Sequence, residues 1–250
     1  MGKCPCHLPI GMLNPCLIAW GKVGRTMRPV VVFDLDGTLL DTAPDLLRAL
    51  NQILNEEGLS AVQRADVAGL FGHGARALIG EGFRRGNRPL DAPRLPGLVE
   101  RFVAFYAAEI AAETRPYPGL VEALTRLSRR GFGLAVCTNK REVLGEAVLK
   151  GTGLYALFAA VIGGDSLPEQ KPHPRPLLEA VARAGGRADM AVMVGDSETD
   201  IATARAASVP VIAVDFGYGG RPAVEFGADI VISHYDELNR AIDTLLPSCR

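Results

Sequence analysis

The chain has 250 residues, 48% hydrophobic and 22% charged, with 28 glycines, which suits one large soluble domain or one carrying a smaller insertion. Its formal net charge of −1 and pI near 6.4 exclude electrostatic tracking along nucleic acid or an anionic membrane surface. The odd, uneven set Cys4, Cys6, Cys16, Cys137 and Cys249 makes no disulfide framework, which predicts a reducing cytoplasm.

Residues 1–27 read as an N-terminal extension. The stretch CHLPIGMLNPCLIAWG is apolar but broken by Pro9, Asn14 and Pro15. It lacks the basic start and small-residue exit of a secretory signal, and no run reaches the roughly 18 apolar residues of a membrane span. Cys4, Cys6 and His7 lack the paired spacing of structural zinc. Residues 1–26 are expected to be disordered, or to precede a start at Met27.

From Arg28 the pattern becomes regular. The β-branched run VVVF (30–33) reads as a buried strand, and similar runs recur at 132–137, 161–162, 190–194, 210–214 and 229–232. Helical patterns lie between them. In 119–130, Leu120, Val121, Leu124 and Leu127 are expected on one buried face, with Gly131 ending the helix. The segments 174–186 and 199–208 read the same way. Strands alternating with helices at this spacing predict parallel βαβ units, hence an α/β doubly wound parallel sheet with a Rossmann-like core.

One stretch breaks the alternation. Residues 43–114 hold helical patterns and almost no strand candidates. Leu46, Leu47, Leu50, Ile53 and Leu54 predict an amphipathic helix opened by Thr42 and Asp45 as a capping box and closed near Gly58. Leu98, Phe102, Tyr106 and Ile110 stripe another. The organisation expected is an all-helical module at 43–114 inserted into an α/β core of 28–42 and 115–250.

Reactive residues of open parallel sheets gather outside the carboxyl ends of strands. Here the first strand ends in DLDGT (Asp34 to Thr38) and the second in CTNK, with Thr138 just past the edge. A loop after Val161–Ile162 carries Lys171, and the strand at 190–194 ends in GDSETD, with Asp196 and Asp200. Gly37 permits a tight turn and a close backbone approach. Crowded carboxylates call for a hard divalent cation, and oxygen ligands without a His or Cys cluster suit magnesium. Lys171 and Thr138 supply positive charge and hydrogen bonds for an anion facing that metal. Metal, anion clamp and free carboxylate together make the parts for phosphoryl transfer through an acyl phosphate.

These segments, FDLDGTLLDTAPDL (33–46), VCTNK (136–140), GGDSLPEQKPHPRPLL (163–178) and VGDSETDIATARAA (194–207), resemble the haloacid dehalogenase superfamily and its phosphoglycolate phosphatase-like group. The resemblance spans roughly 28–245. It implies that Asp34 is the nucleophile and that Asp36 protonates the leaving alcohol and then activates water. Asp34, the backbone carbonyl of Asp36, and Asp196 would hold Mg2+, with Asp200 supporting. Thr138, Asn139, Lys171 and Gly37 would bind the phosphoryl group. The helical module would be a cap that selects the substrate. Asp36 argues against a dehalogenase, and a cap without lysine argues against phosphonate cleavage. Within the cap string LFGHGARALI (70–79), His73 and Arg76 are candidates for pairing with a substrate carboxylate. Together with FGYGG (216–220) they point to 2-phosphoglycolate. Sugar phosphates, pyrophosphate, a β-phosphoglucomutase-like phosphomutase and a non-catalytic binding module are the alternatives. The expected partner is a small phosphorylated metabolite, with no nucleic acid or membrane, in a monomer or homodimer.

Overall fold

In the computed structural model, which describes residues 27–219 and 222–246, the chain enters its first strand at β1 (Val30–Phe33). The expectation of disorder at 1–26, the zinc reading of Cys4, Cys6 and His7, and Gly220 of the FGYGG segment lie outside the described residues. After β1 come β2 (Leu40–Asp41), α1 (Ala43–Glu56), α2 (Arg64–Val67), α3 (Gly74–Arg85) and α4 (Leu95–Ala108). The chain then runs through β3 (Arg115–Pro116), α5 (Leu120–Arg129), β4 (Gly133–Cys137), α6 (Glu142–Gly151), β5 (Ala160–Ile162) and α7 (Arg175–Arg183). It closes with β6 (Ala191–Gly195), α8 (Glu198–Ala206), β7 (Val211–Val214), β8 (Ile230–Ile232) and α9 (Leu238–Leu245). Pro44, Pro96 and Pro176 fall in the first turns of α1, α4 and α7, where a missing N–H costs nothing.

Six strands form one parallel sheet in the order β5-β4-β1-β6-β7-β8. This is the doubly wound α/β fold, and each strand falls on an apolar run visible in the sequence. Alternate residues serve opposite faces. Val31, Phe33, Val136 and Val194 pack beneath α5 and α9, whereas Val30, Val32, Ala135 and Met193 pack on the other side with α7 and α8. Cys137 joins the second layer. It is fully buried, and burial pushes its thiol up to about 12, so it behaves as a small apolar residue. Val121 departs from expectation: it is 43% exposed, and Ala123 takes its place beneath α5.

The helices α1 to α4 are inserted between β2 and β3 and share a separate core built on Leu50, Ile53, Leu78, Phe83, Phe102 and Tyr106. This is the all-helical cap. The chain enters and leaves it side by side. β2 and β3 pair antiparallel, with Leu40 opposite Pro116 and Asp41 opposite Arg115. Two-residue strands carry no periodicity, so the sequence gives no sign of this ribbon. Among the described residues, no helix is long and apolar enough to cross a membrane.

The capping box at α1 is not formed. Thr42 adopts helical backbone angles and makes no side-chain cap. Its hydroxyl donates instead to Asp36 Oδ1 at 2.6 Å. Asp45, fully buried, reaches across to the chain leaving the cap and accepts from the backbone N–H groups of Glu113 and Thr114, from the Thr114 hydroxyl and from Arg48. Burial works against its charge. The bonds from Thr114 and Glu113 outweigh it and hold the carboxyl below its ordinary value. Asp45 therefore staples the two ends of the cap together. Asp45→Ala is expected to cost about 2–4 kcal/mol, because the buried donors of Thr114 lose their acceptor. Chemical denaturation would show this, and a midpoint shift worth under about 0.5 kcal/mol would deny Asp45 that role.

Candidate functional site

Register decides what meets at the sheet edge. Phe33 of β1 lies beside Val136 of β4 and Val194 of β6, so Asp34 leaves the central strand between Thr138 on one side and Asp196 on the other. The strand order reverses here, which is where a parallel sheet opens a crevice. Asp34, Thr138, Lys171 and Asp196 are all buried, at 8%, 4%, 7% and 3% exposure. They stand on the wall of a cavity of about 500 Å³ between the strand ends and the cap.

Each group is held by a local device. The turn after Asp36 needs Gly37, whose φ is +87°; a Cβ there would lie 2.4 Å from Asp196 Oδ2 and 2.8 Å from the Tyr218 ring. The missing side chain of Gly37 thus lets Asp196 approach the turn. Thr38 Oγ1 donates to Asp196 Oδ1 at 3.0 Å and the Tyr218 N–H to Oδ2 at 2.6 Å. Lys171 Nζ donates to Asp34 Oδ1 at 2.7 Å and to Asp200 Oδ1 at 2.6 Å. The second oxygen of Asp200 accepts from the Ser197 N–H and hydroxyl, in a capping box that opens α8. With both oxygens engaged, Asp200 braces Lys171. Asn139, expected at the phosphate, has its amide committed to the same lysine: Nδ2 donates to the Lys171 carbonyl and Oδ1 accepts from its N–H, both at 3.0 Å.

Asp34, Asp196 and Asp200 offer oxygens all within 4.8 Å of one another. Three carboxylates share one ammonium, so two negative charges are left uncompensated in a buried site. Burial pushes the Asp34 carboxyl up to about 6 despite Lys171, and pushes Asp196 up to about 8, with Asp200 and Asp34 adding repulsion. Burial also works against the charge on Lys171, but Asp200 and Asp34 hold it well above its ordinary value. An all-oxygen donor set with a surplus of two charges fits a hard divalent cation.

The sign of the pH response follows. Carboxyls raised in the folded state keep protons that the unfolded chain releases, so they add stability at low pH and lose it as pH climbs through about 6 and then about 8. Without metal, Tm should fall between about pH 5 and pH 9. A divalent cation should raise Tm more at the alkaline end, where the ligands are ionised. Differential scanning calorimetry at both pH values would check this; a metal effect larger in acid would rule it out.

Asp36 lines the same cavity but is held by a separate set of partners. Its carboxylate accepts from the Thr42 hydroxyl and, at 2.7 and 2.8 Å, from Lys140 Nζ. Lys140 carried no role in the sequence reading beyond its place in the VCTNK segment. Tyr218 was equally hidden: its hydroxyl accepts from the Ala43 N–H at 2.8 Å and donates to Asp41 at 2.7 Å, and its ring lies 5.3 Å from Phe71 of the cap. One residue thus ties Asp196 to the cap hinge. Its only sequence signal is its place in FGYGG. His73 and Arg76 both line the cavity and are solvent-accessible. His73 ends a 3-10 turn over Ala68–His73 that leads into α3, which carries Arg76.

Comparison with known proteins follows the same lines. A family model described as haloacid dehalogenase-like hydrolase matches residues 31–214. A phosphoglycolate phosphatase of Mesorhizobium japonicum is 47% identical over 211 residues, covering 84% of this chain and 93% of its own length. One from Caulobacter vibrioides is 48% identical over 219 residues, covering 88% and 92%. The crystal structure of a predicted phosphoglycolate phosphatase from Haemophilus somnus superposes with a TM-score of 0.79 at 29% identity, covering 87% of this chain and 99% of that one.

Proposed function

This chain belongs to the haloacid dehalogenase-like hydrolase family and is a phosphatase, and we propose that it hydrolyses 2-phosphoglycolate to glycolate and phosphate, with magnesium and Asp34 as nucleophile. The observation that carries this reading is Asp34 itself. It sits at the cavity wall with Oδ1 tied to Lys171, which leaves its other oxygen to attack.

In the first step, an Asp34 oxygen forms a bond to phosphorus as the bond to the glycolate oxygen breaks. Asp36 gives that oxygen its proton, so glycolate leaves as the neutral alcohol. In the second step, Asp36 takes a proton from water, the water oxygen bonds to phosphorus, and the acyl phosphate breaks to restore Asp34. Lys171 and Thr138 hold the phosphoryl oxygens through both steps. Asp34, Asp196 and the Asp36 carbonyl would hold magnesium, which supplies positive charge against the carboxylates and the transferring group. Asp200 and Asn139 keep Lys171 in place.

The choice of phosphoglycolate draws on the names of the relatives and on Arg76 and His73, which face the cavity from the cap. Both match a carboxylate placed beyond the phosphate. The test is phosphate release with magnesium across 2-phosphoglycolate, sugar phosphates, nucleotides and pyrophosphate. 2-Phosphoglycolate should lead in kcat/KM by about tenfold or more, and Arg76→Ala should remove that lead. A sugar phosphate or pyrophosphate in first place would discard the substrate and keep the chemistry.

A further inference from the structure

Neither step above uses Lys140, yet its side chain is only 7% exposed, and a buried ammonium is costly unless it is engaged. It lies on the core loop after β4, with Nζ at 2.7 and 2.8 Å from the two oxygens of Asp36. On its other side the Tyr106 ring of α4, a cap residue with 1% exposure, has its centroid 4.6 Å away. Thr42, at the cap hinge, takes Asp36 Oδ1 from a third direction. The carboxyl that must serve both steps is thus fixed from the core by Lys140 and from the hinge by Thr42. The cap presses its aromatic face on the lysine. The Lys140 ammonium stands over the Tyr106 ring, and the Tyr106 hydroxyl forms no well-aligned hydrogen bond among the described residues.

We propose that Lys140 is a positioning residue that aims the Asp36 carboxyl at the leaving oxygen, and that the Tyr106 ring, carried by the cap, keeps it in place. Cap and acid/base group are then mechanically one unit, and an enzyme with the cap displaced holds Asp36 less well. The inference rests on the reading of Asp36 as acid and base. It makes no use of Lys140 as a ligand for substrate.

Leaving groups separate positioning from mere structure. A glycolate oxygen needs the proton from Asp36, whereas p-nitrophenolate leaves without one. First-turnover rates are therefore measured with magnesium on 2-phosphoglycolate and p-nitrophenyl phosphate for the parent, Lys140→Met, Lys140→Arg, Tyr106→Phe and Tyr106→Leu. Lys140→Met should slow 2-phosphoglycolate about 100-fold at saturation, with KM within about threefold and the p-nitrophenolate burst within about fivefold. Lys140→Arg, able to meet both Asp36 oxygens with its fork, should recover at least about tenfold of that loss. Tyr106→Leu should show the same selective loss at about tenfold, and Tyr106→Phe, which keeps the ring, should lose less than Tyr106→Leu.

Equal losses on both substrates would overturn the proposal, as would a raised KM with kcat kept, which would make Lys140 a substrate ligand. Parent-like rates in Tyr106→Leu would overturn the part given to the cap. An Asp34→Asn variant as active as the parent would instead strike the underlying phosphatase mechanism, and is read in the same assay.

Discussion

Replacing Asp34 with Asn should lower phosphate release from every substrate by about 10⁴-fold or more, while leaving the protein at least as stable as before. The two halves of this expectation have one cause. The amide has the same shape and can still accept from Lys171 through its oxygen, so the 2.7 Å contact survives. It is a poor nucleophile towards phosphorus, so no acyl phosphate forms. The parent carboxyl is pushed up to about 6 because burial and the neighbouring Asp200 outweigh what Lys171 gives back. Above that pH and without metal, the site pays for holding Asp34 ionised, and the neutral amide removes that cost. Tm without metal near pH 8 should therefore stay level or rise, and its response to magnesium should shrink because one ligand is gone. Activity and calorimetry on one preparation suffice. Activity within about tenfold of the parent would mean that another group attacks phosphorus.

The same crowding explains how much of the site could be read before any fold was known. Asp34, Thr138, Lys171 and Asp196 follow apolar runs in chain order, and a parallel sheet brings its strand ends together whatever the loops do. The runs themselves were plain because β1, β4 and β6 are buried on both faces, which makes them continuously apolar. What escaped was set by partners far away in sequence. Tyr218 is 175 residues from the Ala43 N–H it accepts from. Lys140 is 104 from the carboxylate it holds. Asp45 had every local mark of a helix cap, but donors near Thr114 outbid the first turn of its own helix. The hold of Asn139 on the Lys171 peptide spans 32 residues, its amide being complementary to a backbone N–H and C=O pair.

Lys171→Met should have the largest effect on stability of any change at the site. The lysine is surrounded by Asp34 and Asp200 at 2.7 and 2.6 Å, and its side chain is 4% exposed. Methionine fills similar volume but leaves two carboxylates buried without a cation. Breaking a buried pair from one side costs about 3–5 kcal/mol, which for a chain of this size lowers Tm by about 6–20 °C. The loss depends on pH with a fixed sign. Without Lys171 to lower it, the Asp34 carboxyl rises above its parent value of about 6, so it takes up a proton readily in mild acid, where the penalty should shrink, and the penalty should grow towards alkaline pH. Adding Asp200→Asn to the Met variant should restore part of the stability, since it removes one of the two stranded charges, and the two changes should be non-additive by at least about 1 kcal/mol. Activity should stay about 10³-fold below the parent in both variants, because the transferring phosphoryl group has lost its cation. Stability recovered with activity still absent would separate the two duties of Lys171, holding the carboxylates together and meeting the phosphate. Recovery of both would leave it with structural duty alone.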